Sequence, residues 1–402
     1  MQTFLNALKT GSYLTAQRIH GYSLIFIMGY VLALSFVLTQ RDGIIDKTGA
    51  EERTIGSDFI NVYAAGVLAN QGDASAAYDW QKHHAVEIAV AGKDIGYYGW
   101  HYPPFFLFLA QAFAKMPYLP ALAVWQITSL AAALGVLYAL FPRRETLLLT
   151  LAFPAFFINL GHGQNAFLTA ALLGGFLLYL PKRPWLAGVL LGLLAYKPQF
   201  GVLMPLALLA GGYWRTLISA SITVGGMIAL SVAAFGVEIW QAFYDSLPLT
   251  KTIVLEQGST GFHKIQSVFA AVRLWGGSIS LGYAAQGVMQ IALIALTIYC
   301  WRRKSTLDYP LKAAILVISS MLFSPYILDY DLFALAPALV LLVQRGLNQG
   351  FAPFEKTLLF LVWIMPFCTR PLAEQAFVPL GVLSMMLLLG RLSVRDKLAE
   401  IR

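Results

Sequence analysis

Long apolar runs constrain the fold of this chain more than any other feature, because they are too continuous to form one face of a water-soluble helix. A helix that crosses a bilayer needs about 20 predominantly apolar residues, and runs of that kind recur along the sequence. Of the 402 residues, 58% are hydrophobic and only 12% are charged, about half the charge of a typical globular domain. The sequence therefore predicts an all-α polytopic membrane protein that forms a single integral membrane domain over residues 1–402.

Hydropathy divides the chain into about twelve predicted transmembrane helices. They lie near residues 22–40, 119–141, 145–160, 164–180, 184–197, 198–213, 215–236, 281–301, 310–324, 329–345, 354–370 and 375–391. Residues 184–213 are long enough for one long helix or two short ones. We favour two, because Pro198 directly follows Lys197 and a proline disfavours helix before it and removes a backbone donor.

The net charge of +8 would suit a nucleic-acid partner in a soluble protein, but here the basic residues lie in small groups between the apolar runs. If the N-terminus is cytoplasmic, every one of these groups falls on the cytoplasmic side, as the positive-inside rule expects. The groups are Lys9/Arg18, Arg143/Arg144, Lys182/Arg183, Arg215, Arg302/Arg303/Lys304, Arg345 and Arg391/Arg395/Lys397. The positive charge therefore indicates an orientation in the membrane, and no nucleic-acid partner is predicted.

Two long segments, residues 41–118 and 237–280, are predicted to lie outside the membrane as outer loops. The first contains two stretches with helical periodicity, Phe59–Asn70 and Ala74–Val90. Both are too polar to span a bilayer but have an apolar face, which is typical of helices that lie at the membrane interface. The short apolar stretch Phe105–Phe113 follows a double proline and indicates a re-entry into the interface.

Strongly polar side chains occur at the outer ends of the predicted crossings. Ionisable groups at membrane depth are costly, so they favour a functional interpretation. In this topology they all map to the outer face, where a single polar site can form. The candidates are Asp58, His101, Tyr102, His162, Gln164, Asn165, Lys197, His263, Lys264, Arg273, Asp329, Asp331 and Arg370.

Each candidate also has a structural interpretation that the sequence leaves open. Asp58 can cap the helix that starts at Phe59, and Lys197 can extend its ammonium to the interface. Residues 161–165 can form only a tight turn, and the histidines can make structural hydrogen bonds. Asp329 and Asp331 can be the acidic residues at the start of the tenth predicted helix, and Arg370 can be an interfacial anchor. The sequence contains no metal-ligand spacing, nucleotide-binding loop or nucleophile elbow, so no metal and no cofactor are predicted.

The order of these residues resembles glycosyltransferase family 87, a polyprenyl-phosphate-mannose-dependent family of the GT-C superfamily. The resemblance covers roughly residues 55–345. Its motifs are Ser57-Asp58-Phe59 with Tyr63 and Ala64, Tyr78-Asp79, Tyr102-Pro103-Pro104, Gly163-Gln164-Asn165, Lys197 after Gly188–Leu194, and Ser324-Pro325. Family members often carry a histidine a few residues after the Ser-Pro pair, whereas Tyr330 and Asp331 stand there in this chain.

This resemblance implies an inverting glycosyltransferase, with juxtamembrane helices in its first outer loop. Its donor would be a polyprenyl-phosphate sugar, with mannose as the sugar, and its acceptor a hydroxyl of a lipid or glycan. The reaction would take place at the outer, periplasmic face of a bacterial inner membrane. Asp58 would be the general base, and the donor phosphate would be bound by Lys197, Arg273, Lys264 and Arg370. Sugar or acceptor binding would fall to His101, Tyr102, His162, Gln164, Asn165, Asp329 and Asp331.

Two alternatives are a twelve-helix secondary transporter and a scaffold or flippase-like protein without enzymatic activity. Transporters also carry ionisable groups inside the membrane, near the midplane, and many are built from inverted repeats. In this sequence the polar groups map to the outer face and the two halves show no convincing similarity, so the enzyme is the favoured interpretation.

Overall fold

The computed structural model describes residues 1–49 and 52–394, and over these ranges the secondary structure is helical apart from three very short strands. Two members of the first predicted outer loop, Ala50 and Glu51, lie outside the described residues. The same is true of Arg395 and Lys397 in the last predicted basic group.

The first quarter of the chain contains an amphipathic helix, a long apolar helix and the short elements of the first predicted outer loop. They are α1 (Gln2–Thr10), α2 (Ala16–Thr39), β1 (Arg41–Asp42), β2 (Ile45–Asp46), β3 (Arg53–Thr54), α3 (Phe59–Asn70), α4 (Trp80–Ala91) and α5 (Leu107–Phe113). The strands pair antiparallel in the order β1-β2-β3. Strands of two residues are too short to show the two-residue hydrophobic period, so the sequence predicted only helices in this region.

The prediction of one helix over Ala74–Val90 is wrong, whereas α3 has the bounds that the sequence predicted. The structure has a 3₁₀ turn over Ala74–Tyr78, followed by α4. Asp79 separates them with an extended backbone, and its carboxylate accepts hydrogen bonds from two amides of α4 at 3.0 and 3.2 Å. An N-capping aspartate starts a new helix, which explains the break.

The middle of the chain forms α6 (Tyr118–Leu140), α7 (Arg144–Leu151), α8 (Pro154–His162), α9 (Ala166–Tyr179), α10 (Pro184–Leu193), α11 (Met204–Gly211), α12 (Trp214–Phe235) and α13 (Glu238–Thr250). The predicted crossing at 145–160 is bent by 56° between α7 and α8, where Pro154 cannot donate a backbone hydrogen bond. Residues 184–213 form two helices, with short 3₁₀ turns on either side of Lys197.

The last third forms α14 (Val268–Leu274), α15 (Ile279–Trp301), α16 (Tyr309–Phe323), α17 (Ala336–Gln349), α18 (Glu355–Ala376) and α19 (Leu380–Ser393). A π-helical turn, Lys251–Glu256, lies between α13 and α14. A 3₁₀ segment, Asp329–Leu335, leads directly into α17. Helix α18 continues past the crossing predicted near 354–370, so that Arg370 lies inside the helix.

Within the described part of the chain, six helices are long and apolar enough to cross a membrane, and the bent α7–α8 pair makes a seventh if it forms one span. The six are α2, α6, α12, α15, α17 with its 3₁₀ segment, and α18. The other predicted crossings are apolar helices of 10–17 residues, which at 1.5 Å per residue fall short of a bilayer about 30 Å thick. The protein is a multi-pass membrane protein, and the number of twelve crossings stays a prediction.

Burial separates central helices from peripheral ones. Most side chains of α9 and α16 are buried, and these helices are apolar on every side, as expected for helices enclosed by others. In α2, by contrast, Ser23 is the one residue of the helix that is fully buried, and its apolar side chains face outward. Such an exposed apolar surface is suited to contact with lipid.

Candidate active site

The candidate site forms where the loop before α3 meets the turn after α8. The backbone amide of Asp58 donates to the carbonyl of His162 at 2.9 Å, which joins the two segments directly. Helix α6 supports both of them. The Tyr118 hydroxyl donates to two carbonyls of the loop at 2.9 and 3.1 Å, and the Trp125 indole donates to the Gly163 carbonyl at 3.0 Å.

Gly163 allows this close approach. Its φ is +66°, and a Cβ at this position would lie 2.9 Å from Cβ of Phe59 and 3.0 Å from Cα of Gly56. Contacts that short require the loop that carries Asp58 to move. Glycine is needed here both for its backbone conformation and for the absence of a side chain.

Gly163→Ala is therefore expected to destabilise the protein, by about 1–2 kcal/mol for the left-handed backbone alone, and to lower activity by displacing Asp58. Thermal unfolding in detergent measures the first effect. Gly161→Ala is the matched control, because the described residues leave open space around a new Cβ there. Equal melting temperatures for the two variants would contradict the steric argument.

The carboxylate of Asp58 is bound by three side chains and is partly exposed. Gln164 donates from Nε2 to Oδ2 at 2.9 Å, and the Ser57 hydroxyl donates to Oδ1 at 3.2 Å. Nδ1 of His162 lies 3.5 Å from Oδ1. Within the described residues the carboxylate caps no amide of α3, although Asp58 occupies the N-cap position. The structural role that the sequence left open is therefore not observed.

These neighbours keep Asp58 ionised. Burial raises the pKa of the carboxyl, but the electrostatic interaction and hydrogen bond with His162, together with the hydrogen bonds from Gln164 and Ser57, outweigh it. The pKa of Asp58 consequently lies below its usual value. A carboxylate in this state accepts a proton at neutral pH.

His162 connects Asp58 to an ion pair. Arg370 and Asp329 pair through two hydrogen bonds, and Nη2 of Arg370 lies 3.0 Å from Nε2 of the His162 ring. A guanidinium only donates, so Nε2 of His162 accepts and the proton of the ring is on Nδ1. That proton faces the Ser57 hydroxyl, 2.9 Å from Nδ1, and Asp58 beyond it. Arg370 thereby fixes the tautomer of His162 that favours an ionised Asp58.

A second group of polar side chains extends the site from Gln164. Asn165 donates from Nδ2 to the Tyr102 hydroxyl at 2.7 Å, and that hydroxyl lies 3.5 Å from Oε1 of Gln164. Oδ1 of Asn165 is buried and has no hydrogen-bond partner among the described residues. A buried acceptor without a partner is costly, and a ligand hydroxyl would satisfy it.

Lys197 and Asp331 form a buried ion pair beside these residues. Nζ lies 2.6 Å from Oδ1, and the two side chains are only 7% and 1% exposed. Lys197 therefore does not extend to the interface. The Tyr330 ring lies 5.4 Å from Nζ of Lys197 and 5.8 Å, between centroids, from the His162 ring. This tyrosine places the ion pair next to the group around Asp58.

The structure brings most of the predicted site residues into one connected group: Asp58, Tyr102, His162, Gln164, Asn165, Lys197, Asp329, Asp331 and Arg370. The four others have different neighbours. Nε2 of His263 lies 2.9 Å from the Glu374 carboxylate. His101 contacts the Thr250 hydroxyl at the end of α13, 2.9 Å from Nδ1. Arg273 donates to the Gly277 carbonyl at 2.7 Å. Lys264 is half-buried in the loop before α14.

Two residues of the group were not predicted as site residues. Ser57 bridges His162 and Asp58, and its only signal in the sequence is its position beside Asp58 in the Ser57-Asp58-Phe59 motif. Tyr330 packs between His162 and Lys197. In the sequence it stands out only as a departure from the resemblance, where many family members carry a histidine.

The arrangement is suited to removing a proton from a hydroxyl and to stabilising negative charge nearby. It combines an ionised, partly exposed carboxylate with an ammonium and a guanidinium in neighbouring ion pairs. Among residues 1–49 and 52–394, no group of three or more His, Cys, Asp or Glu side chains is arranged to hold a metal ion.

Comparison with known proteins places these residues in context. A family model described as glycosyltransferase family 87 matches residues 100–325, more than half of the chain. The matched range contains Tyr102, the 161–165 turn and Lys197, but it begins after Asp58 and ends before Asp329. Neither the curated proteins nor the solved structures gave a significant match.

Proposed function

Since the chain belongs to glycosyltransferase family 87, we propose that it transfers a sugar from a polyprenyl-phosphate donor to a hydroxyl of a lipid or glycan acceptor. The proposed sugar is mannose, and the proposed location is the outer face of a bacterial inner membrane. The observation that carries the proposal is the environment of Asp58: a carboxylate kept ionised by hydrogen bonds and partly exposed, whose partner His162 contacts Arg370 directly and Lys197 through the Tyr330 ring.

The proposed reaction is a single displacement with inversion. The acceptor oxygen attacks the anomeric carbon and forms a new carbon–oxygen bond. The bond from that carbon to the phosphate oxygen breaks, and its electron pair leaves with the polyprenyl phosphate. The hydroxyl proton passes to Asp58, which acts as general base. The Nδ1–H of His162 and the Ser57 hydroxyl hold the carboxylate in position before the transfer.

Lys197 is proposed to hold the donor phosphate and to stabilise the charge that grows on the leaving group. Its ammonium has three donors, so it can bind a phosphate oxygen while it keeps the hydrogen bond to Asp331. Arg370 contributes positive charge from the other side of Tyr330. Phosphate contacts by Lys264 and Arg273 stay predictions.

Sugar and acceptor hydroxyls are proposed to bind along the Tyr102, Gln164 and Asn165 group. The carbonyl oxygen of the Asn165 side chain supports this proposal, because it is buried and has no hydrogen-bond partner among the described residues. The predicted contacts by His101, His162, Asp329 and Asp331 are part of the same proposal.

Membership in a glycosyltransferase family disfavours the secondary transporter.

A transfer assay tests the proposal. Purified protein is incubated with membrane lipid extract and a panel of radiolabelled donors that differ in the sugar and in the carrier. We expect transfer from polyprenyl-phosphate mannose, with release of polyprenyl phosphate, and none from the matching nucleotide sugar. Transfer from the nucleotide sugar alone would overturn the proposed donor class. Transfer of another sugar from the polyprenyl carrier would overturn the proposal that the sugar is mannose and would leave the proposed donor class intact.

A further inference from the structure

A cleft with two lysines lies at the opposite end of α18 from the candidate active site. Its volume is about 410 Å³, and its lining residues are Lys9, Thr10, Gly350, Phe351, Ala352, Pro353 and Lys356. Helix α18 begins at Glu355 beside this cleft and carries Arg370 fifteen residues later, about 22 Å along the helix axis. If α18 crosses the membrane, the cleft and the active site face opposite leaflets.

Helix α1, which borders the cleft, has the features of a helix that lies at a membrane interface. Phe4 and Leu5 are 66% and 50% exposed, while the end of the helix is tied to α18. The Phe354 amide donates to the Lys9 carbonyl at 2.8 Å, and the Thr357 hydroxyl donates to the Leu8 carbonyl at 2.7 Å. An amphipathic helix with outward apolar side chains beside a membrane helix lies in the interface, with those side chains among the acyl chains.

The wall of the cleft is a fixed loop between α17 and α18. The Glu355 carboxylate accepts a hydrogen bond from the Ala352 amide at 2.6 Å, and Arg391 donates from Nε to the Pro353 carbonyl at 2.9 Å. Phe354 has a left-handed backbone with φ of 66°. Non-glycine residues in this conformation are strained and persist only where their surroundings hold them, which is common at ligand sites.

The charge around the cleft is positive. The Lys9 and Lys356 side chains line it, and Nη1 of Arg391 is buried behind the loop with no hydrogen-bond partner among the described residues. The carboxylate of Glu355 is fully buried and already accepts the Ala352 amide. A phosphate group in the cleft would therefore meet two ammonium groups at its walls and a third cation behind them.

We infer that this cleft binds the headgroup of an anionic phospholipid from the leaflet opposite the active site. The phosphodiester would accept hydrogen bonds from Lys9 and Lys356, and its acyl chains would enter the layer that Phe4 and Leu5 face. Basic pockets between membrane helices recognise anionic headgroups in this way. The inference concerns a second site and does not depend on the sugar, the acceptor or the reaction.

Lipid retention tests this inference. The protein is reconstituted in phosphatidylglycerol, exchanged into detergent with competing phosphatidylcholine, and examined by native mass spectrometry for bound lipid. We expect phosphatidylglycerol to be retained and phosphatidylcholine to be lost. Removal of two surface charges with Lys9→Gln/Lys356→Gln should weaken retention about 30-fold.

Lys182→Gln/Arg183→Gln is the matched control, because it removes the same charge from an exposed loop after α9. The end of α9 contacts the start of α16, where Asp308 pairs with Arg345 near the end of α17, so this loop lies at the same end of the helices as the cleft. Lys9→Arg/Lys356→Arg keeps both charges and should keep the lipid. Equal losses in the cleft variant and the control would overturn the inference, since general surface charge would then hold the lipid. Displacement of phosphatidylglycerol by millimolar inorganic phosphate would also overturn it, because the site would then select free phosphate.

Discussion

Asp58→Asn is expected to abolish sugar transfer while leaving the protein folded. Asparagine has almost the same shape and can still accept the hydrogen bond from Gln164 through its carbonyl oxygen, so the loop before α3 keeps its support. An amide cannot take a proton from the acceptor hydroxyl. Loss of a general base costs about 10²–10⁴-fold in rate. The measurement is the initial rate of transfer from the polyprenyl-phosphate donor, together with the melting temperature in detergent.

Asp94→Asn provides the control. Asp94 is exposed in the same predicted outer loop, so the same chemical change there should leave both the rate and the melting temperature near the wild-type values. If Asp58→Asn transferred sugar at the wild-type rate, Asp58 would not be the base. If it lost activity together with its cooperative unfolding transition, the loss would reflect the fold rather than the chemistry.

Hydropathy and local signals were sufficient to predict much of the fold. Continuous apolar runs predicted long helices such as Tyr118–Leu140, and the Lys197-Pro198 pair predicted the break between α10 and α11. The number of crossings could not be predicted in the same way. Helices of 10–17 residues are too short to identify as spans by length, and whether they cross depends on the packing of their neighbours.

The composition of the site was more predictable than its contacts. Polar residues at helix ends were recognisable because they are costly in a membrane, but their partners are far apart in sequence. Gln164 lies 106 positions from Asp58, and Asp331 lies 134 positions from Lys197. No local pattern predicts such pairs, because they depend on how helices pack. Arg273 shows the same limit: it lies in the last turn of α14 and donates to the Gly277 carbonyl, a contact that no local pattern predicts, and its phosphate contact stays a prediction.

The choice between a structural and a catalytic role for Asp58 shows where sequence reasoning ends. An aspartate before a helix is a typical N-cap, and composition alone favoured that role. The structure does not show that cap, because the carboxylate faces Gln164, Ser57 and His162 rather than the amides of α3, and the catalytic role stays a proposal. The turn that supplies two of these partners docks on the loop through Gly163, a contact between segments that lie a hundred residues apart.

The second large effect is expected at the buried pair of Lys197 and Asp331. Lys197→Gln leaves the Asp331 carboxylate, which is 1% exposed, without its counter-charge. Breaking a buried ion pair by removing one partner costs about 3–5 kcal/mol, so this variant should be strongly destabilised. A loss of activity in this variant alone would therefore not distinguish a role in phosphate binding from a role in folding.

The double variant Lys197→Gln/Asp331→Asn separates these roles. Two neutral amides can hydrogen-bond to each other in place of the ion pair, so most of the lost stability should return. If Lys197 holds the donor phosphate, transfer should stay about 10²–10³-fold below wild type. Asp331→Asn alone also breaks the ion pair and should lose stability, but it keeps the ammonium, so its rate per folded molecule should stay within about tenfold of wild type. Recovery of transfer together with stability in the double variant would show that Lys197 acts through the fold only. The donor phosphate would then depend on Arg370, which is the other cation in contact with the group around Asp58.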